Sequence, residues 1–392
     1  MSLSRRAFVQ TVGIGAAGAI TSSLIGARGR EHAIWSTFET PLFAADNPII
    51  LASNENPLGP GEKVLNAVRA AFGPTGAPGG RYPFSAEGEV RDAIAAHFTL
   101  KPENVLIGTG STQILRTATQ VYTSPSRPLV GSIPTYEECA GYAETITNAP
   151  VRGVKMDSNL KLDLGATIAA AKGAGLIFYC NPNNPTATAV GGKDTRDFIE
   201  KVNRSSPNTT ILVDEAYYDY VTDPSYETMI PLAIQNPRVI VARTFSKAYG
   251  MAGLRIGYAI GHPQTIREMA NWESGGSITV LALKAALVAI NHDPAYLAAE
   301  RARNKAARDF TIKWFADRGM KSTDSQANFL FVNIGRPVTG FRNACAELGV
   351  RVARDFPPFE RTHCRISIGT MDEMKKATEV FGKVVAPATA AA

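Results

Sequence analysis

Six short apolar runs, each closing in polar residues and most then passing into a helical pattern, dominate the middle of this chain. They are Asn104–Gly110 (NVLIGTG), Pro128–Pro134 (PLVGSIP), Gly175–Pro182 (GLIFYCNP), Thr209–Tyr217 (TTILVDEAY), Arg238–Thr244 (RVIVART) and Arg255–Gly261 (RIGYAIG). Near-continuous Val, Ile and Leu suit strands buried on both faces, and the stretches Ser111–Tyr122, Leu164–Ala174 and Thr195–Arg204 between them carry helical spacing. Strand and helix in alternation predict an α/β fold, a mostly parallel sheet covered by helices on both faces. After Gly276 the pattern changes to long helical stretches, Thr279–Ile290 and 295–319, and then to strand, helix, strand, helix through Asn328–Gly335, Phe341–Gly349, Arg365–Gly369 and Asp372–Gly382. The expected organisation is a large domain over 76–275 and a smaller α+β domain over 276–386. An arm over 46–75 contributes to the small domain, and an Ala-rich tail, 387–392, is expected to be disordered.

A chain of 392 residues that is 45% hydrophobic can bury a sizeable core, which excludes a disordered or collagen-like protein. The net charge of +6 is spread over scattered residues with no basic run beside aromatics, so no nucleic-acid partner is expected. Cys139, Cys180, Cys345 and Cys364 lack metal-ligand spacing and read as buried free thiols; no metal is expected. At the N-terminus Ser4–Gln10 (SRRAFVQ) precedes a weakly apolar run and a return to charge at Arg28. A charged segment followed by an apolar one too short to span a bilayer comfortably predicts an export signal within a flexible segment, 1–45. The pair Arg5 and Arg6 resembles a twin-arginine signal, which implies the twin-arginine export machinery as a partner and a periplasmic location, with cleavage between about Ala27 and Ala45 or retention as an anchor.

Ligands of open α/β sheets collect where strands end and helices begin, and the residues at those ends are chemically unusual here. Ser111 and Thr112 start a helix, Tyr136 follows the second run, Asn184 the third, Asp214 and Tyr217 the fourth, and Thr244, Ser246 and Lys247 the fifth; Arg255 opens the sixth. Singly, each has an ordinary explanation as a cap, turn former or surface charge. Together they complement one molecule. It offers a dianion to Ser111, Thr112, Ser246 and Arg255, a flat ring to Tyr136 and a basic ring nitrogen to Asp214. Its phenolate suits Asn184 and Tyr217, and its aldehyde suits Lys247. Pyridoxal 5′-phosphate has all these groups, and a lysine amine forms a Schiff base with its aldehyde.

The segments NPNNPTA, DEAYYDYV, TFSKAYGMAGLRIGY and RISIGT, in that order, resemble fold-type I, class I/II aminotransferases, and most closely their histidinol-phosphate aminotransferase branch. The likeness runs from about Leu51 to residue 382. It implies the fold-type I architecture of pyridoxal-phosphate-dependent transferases and amino transfer between an amino acid, or a related amine such as histidinol phosphate, and a 2-oxo acid in ping-pong order. By this resemblance Lys247, Asp214 and Tyr217 are catalytic. Ser111, Thr112, Ser246, Arg255 and Thr244 form the phosphate cup, and Tyr82 reaches the cofactor of a neighbouring subunit in a two-fold homodimer. Arg365, with Asn54 beside it, holds the substrate carboxylate, and Arg354 stands near the place of a second substrate-binding arginine, although its spacing to Arg365 is shorter. Two further departures are Ala187, where the family has glycine, and the export signal itself, since histidine synthesis is cytoplasmic. Other readings of the same residues are a decarboxylase of the phosphothreonine type and an exported, non-catalytic binding protein.

Overall fold

The computed structural model describes residues 48–73, 77–291 and 294–385. The export segment and the Ala-rich tail lie outside the described residues. The described strands, numbered in chain order, are β1 (Ile49–Leu51), β2 (Val105–Gly108), β3 (Leu129–Ile133), β4 (Val151–Lys155), β5 (Leu176–Cys180), β6 (Thr210–Asp214), β7 (Val239–Thr244), β8 (Gly257–Gly261), β9 (Phe329–Asn333), β10 (Val350–Val352) and β11 (His363–Ser367). Seven of them form one sheet in the order β2-β8-β7-β6-β5-β3-β4. β8 runs antiparallel to β2 and β7, and the remaining pairs are parallel.

The pleat divides each central strand between two cores. Ile177 and Tyr179, Ile211 and Val213, and Val239 and Val241 face one apolar layer, together with helices Phe84–His97, Gly192–Ser205 and Val280–Ile290. Leu176, Phe178 and Cys180, Leu212, and Ile240 and Ala242 face the other, under helices Gly110–Tyr122 and Pro263–Ala270. With both faces covered, β5, β6, β7 and β8 are buried along their whole length, which is why they read as unbroken apolar runs. β4 escaped the sequence reading because VRGVK is an edge strand with polar and half-exposed positions. Helix Val280–Ile290 starts where the Thr279 hydroxyl accepts the Ala282 N–H, and it packs with the large layer although it lies beyond residue 276.

A third apolar cluster gathers helices Pro294–Ala316, Val338–Glu347 and Met371–Val385 over the antiparallel pair β9–β11 and the parallel pair β1–β10. Pairing of β1 with β10 ties the N-terminal arm to this part of the fold, although β10 is too short to stand out as a strand in the sequence. The described residues, all from Pro48 onward, belong to one compact unit. All four cysteines are buried and unpaired, as composition suggested.

Candidate active site

Because β2, β3, β5, β6 and β7 run the same way, their carboxyl ends share one edge of the sheet; β8 runs oppositely, so the residues just before it reach that same edge. Asp214 closes β6 and lies on the Leu212 side of the pleat, the side covered by helix Gly110–Tyr122. Its carboxylate is 3% exposed and accepts the Ala216 N–H at 3.1 Å. The neighbouring Glu215 is differently served, since the buried Arg243 guanidinium lies 2.7 Å away and Thr228 and the Met229 N–H also donate to it. Two adjacent acids thus end one strand, and only the second has a guanidinium against it. Burial accordingly lifts the Asp214 carboxyl from its ordinary range to about 7.

Lys247 follows β7, and its amine donates to the Ser53 carbonyl at 3.1 Å and lies 5.8 Å from the centre of the Tyr217 ring. Burial, then the charge of Arg365, lowers it to about 8. The Tyr217 hydroxyl accepts from the Asn54 side-chain amide at 3.1 Å. Asn54 stands at a positive φ of 56°, and its backbone N–H and side-chain oxygen both bond the Ser367 hydroxyl, while Asn328 donates to its carbonyl. Arg365 is 8% exposed; it donates to the Asn184 side-chain oxygen at 2.7 Å and to the Ala52 carbonyl, and its Nε has no partner. Desolvation depresses even this guanidinium, to about 10.

A second group of residues faces a different part of the same edge. Gly110 has φ of +76°, and a Cβ there would come 2.5 Å from Arg255 Nη2; a Cβ on Gly257 would lie 2.4 Å from the Ser111 nitrogen. These two glycines let Arg255 and the first turn of helix Gly110–Tyr122 converge. Arg255 donates to Ser246 Oγ at 3.4 Å, the Ser246 N–H bonds the Thr244 hydroxyl at 3.0 Å, and Thr112 bonds the Tyr136 hydroxyl. Burial raises that phenol to about 12.

Most of the expected residues therefore meet. Tyr82 does not join them: it is 81% exposed and stacks on Phe84 at 5.5 Å. Arg354 lies across Phe356 from the group and is bound by Glu137. Asn54 stands next to the Arg365 strand, as expected, and its amide serves Tyr217 as well. Ala187 adopts the left-handed φ of 61° that a glycine would take, and it packs against Tyr217, Ala327 and Phe329. The sequence reading missed Ser367, although its place two residues after Arg365 on β11 puts it on the same face of the strand.

The model of the aminotransferase class I and II family matches residues 46–381. The chain belongs to that family. A histidinol-phosphate aminotransferase of Moorella thermoacetica is 33% identical over 341 residues, with 86% of each chain covered. An aromatic amino acid aminotransferase of Mycobacteroides abscessus is 34% identical over 337 residues, covering 84% of this chain and 91% of that one. Among solved structures, a histidinol-phosphate aminotransferase of Sinorhizobium meliloti in complex with pyridoxal-5′-phosphate superimposes with a TM-score of 0.79 over 92% of this chain and 99% of its own at 24% identity, which speaks for the fold. The chain is a pyridoxal-phosphate-dependent aminotransferase: the cofactor is the one its strand-end residues suggested, and the reaction is the one its family resemblance implied.

The aminotransferase's own geometry fits that cofactor. Asp214 is a buried carboxylate beside which no guanidinium stands, which a protonated ring nitrogen would satisfy. Ser246, Arg255 and a helix N-terminus converge where a phosphate would need donors, and the two glycines permit that convergence. Lys247 feels the charges of both Arg365 and Asp214, and its amine is fixed on the Ser53 carbonyl 5.8 Å from the Tyr217 ring centre.

Proposed function

We propose that this aminotransferase takes the amino group of a donor whose α-carboxylate is gripped by Arg365, and that it works outside the cytoplasm as a homodimer. The observation that carries the reading is the buried Arg365 guanidinium, whose Nε lacks a partner while Asn184 and the Ala52 carbonyl fix its plane. A planar fork held in this way binds both oxygens of a carboxylate at once, which a lysine does not.

Pyridoxal phosphate, when bound, supplies the aldehyde and the electron-withdrawing ring that make the donor's α-proton acidic. Every other part is the protein's. Asp214 holds the ring-nitrogen proton, because a carboxylate in this dry place gains most from a charged N–H. Asn54 donates to the Tyr217 oxygen, which leaves the phenol's own proton for a second acceptor. Asn184, pinned by Arg365, couples the carboxylate fork to the same region. Lys247, lowered to about 8, offers a neutral amine near physiological pH and moves the proton from the donor's α-carbon as general base and then acid.

Dimerisation is supported by the exposed Tyr82–Phe84 pair, an apolar surface of the kind a second copy covers, with Tyr82 then reaching the partner's phosphate group. Export is supported by Arg5 and Arg6 and the apolar run after them. No helix among the described residues is long and apolar enough to cross a membrane.

A panel of amino donors with 2-oxoglutarate tests the reaction. Glutamate should form with at least one donor, and borohydride should fix the cofactor on the peptide containing Lys247. Carbon dioxide released without glutamate would overturn the transfer reaction in favour of decarboxylation. For export, replacing Arg5 and Arg6 with lysine should hold the protein in the cytoplasm of a cell with a functional twin-arginine pathway.

A further inference from the structure

One guanidinium beside this site takes no part in the chemistry above. Arg354, just after β10, lies over the ring of Phe356 at 4.4 Å, and Arg365 lies over the same ring at 4.8 Å. Phe356 is 4% exposed, so one buried aromatic side chain spaces the two cations. Arg365 has only neutral oxygens around it. Arg354 does not: it donates to the Asp355 carbonyl at 2.9 Å and to Glu137 Oε2 at 2.5 Å.

Glu137 comes from a distant part of the chain, directly after Tyr136 beyond β3, so this ion pair joins the large sheet to the smaller β-structure beside the site. The other acids nearby are engaged elsewhere. Glu138 pairs with Arg116, and the Asp355 carboxylate turns to the Thr339 hydroxyl and to Arg342. Glu137 is therefore the carboxylate that neutralises Arg354.

We propose that Glu137, by holding Arg354, steers the aminotransferase away from donors carrying a second anionic group and towards donors with uncharged, aromatic or apolar side chains. The inference rests on the reading that Arg365 takes the donor's α-carboxylate. A donor anchored there with its side chain directed towards Arg354 meets the partly exposed Arg354–Glu137 pair. An uncharged side chain, aromatic or apolar, carries nothing that competes with Glu137 for Arg354 and leaves the pair intact. A side-chain carboxylate or phosphate has to displace Glu137 or lie against its negative charge, and like charges brought together in a partly dry site repel strongly. The pair is itself partly exposed, with 27% of the Arg354 and 49% of the Glu137 side chain accessible, so the bridge is displaceable and the discrimination graded.

The test uses the holoenzyme and two carboxylates that cannot react, glutarate with two charges and 3-phenylpropionate with one, titrated calorimetrically. Glu137→Gln keeps the size of a half-exposed side chain, so it folds. The affinity for glutarate relative to 3-phenylpropionate should rise about tenfold in Glu137→Gln, and it should return to the wild-type ratio when Arg354→Gln is added. The same order should appear in kcat/KM for glutamate against phenylalanine as donor. A ratio unmoved by Glu137→Gln, or a gain that survives the double change, overturns the proposal while leaving the aminotransferase reading intact. If neither ligand binds either protein, the carboxylate role of Arg365 has failed and the proposal falls with it.

Discussion

Replacing Asp214 with Asn should stabilise the cofactor-stripped protein at pH 8 while weakening its hold on the cofactor. The carboxylate is buried, takes one backbone N–H and faces no guanidinium, and its folded-state pKa of about 7 stands against an ordinary 3.8. That rise corresponds to roughly 4 kcal/mol of differential proton binding. The sign follows from the direction. The folded chain binds this proton more tightly than the unfolded chain, so the stability it contributes is complete below about pH 4 and is lost as pH climbs towards 7. Asn carries no charge at any pH and still accepts the Ala216 N–H, but its two new donors are buried and cost about 1 kcal/mol. Allowing for relaxation around the wild-type charge, the net gain at pH 8 is about 1 to 3 kcal/mol. For a chain of 392 residues, unfolding entropy near 2 cal/mol/K per residue makes each kcal/mol worth about 1 °C in Tm. Calorimetry of the stripped proteins should therefore show the variant melting about 1 to 4 °C higher at pH 8, with the gap shrinking as pH is lowered towards 5. Cofactor affinity should fall by about ten- to a hundredfold, since a charge-assisted bond is exchanged for a neutral one. A stripped variant that melts below wild type at pH 8, or a gap independent of pH, would refute the account of Asp214 as an unpaired buried charge.

Gly110→Ala should push the Arg255 guanidinium aside, because the new methyl would lie 2.5 Å from Nη2 at a φ of +76°. Fluorescence titration should then show cofactor binding weakened by about tenfold, with inorganic phosphate losing its competition with the cofactor in parallel. Arg365→Lys removes the fork and leaves Asn184 without its donor, so kcat/KM for carboxylate donors should drop by about a hundredfold while the visible spectrum of the bound cofactor stays unchanged. Equal losses for amine donors that lack a carboxylate would contradict the role given to Arg365. Lys247→Met should stabilise the stripped protein below about pH 8, where the buried amine of the wild type is forced to carry a charge. The effect should shrink as pH rises from about 8 and vanish only well above the ordinary lysine value of 10.5, where the amine is neutral in both folded and unfolded chains.

What the sequence by itself determined is the layered α/β architecture and the identity of the chemical groups at the strand ends. Both depend on short-range physics. A strand covered on two faces is apolar at every position, as β5 and β7 are, and a loop at its end carries its chemistry wherever the rest of the chain goes. β4 and β10 were lost for the converse reason: an exposed edge and a strand of three residues have no pattern that separates them from a loop. Only the tertiary structure decided which groups are paired, and pairing governs charge. Asp214 and Glu215 are adjacent in sequence, yet one faces Arg243 and the other faces none. Asn54 and Tyr217 lie far apart along the chain and share a hydrogen bond, and Arg354 and Glu137 meet across more than half of it. Such contacts depend on how β1 pairs with β10 and how β11 pairs with β9, and a side chain's protonation, orientation and freedom follow from the neighbours that this packing supplies.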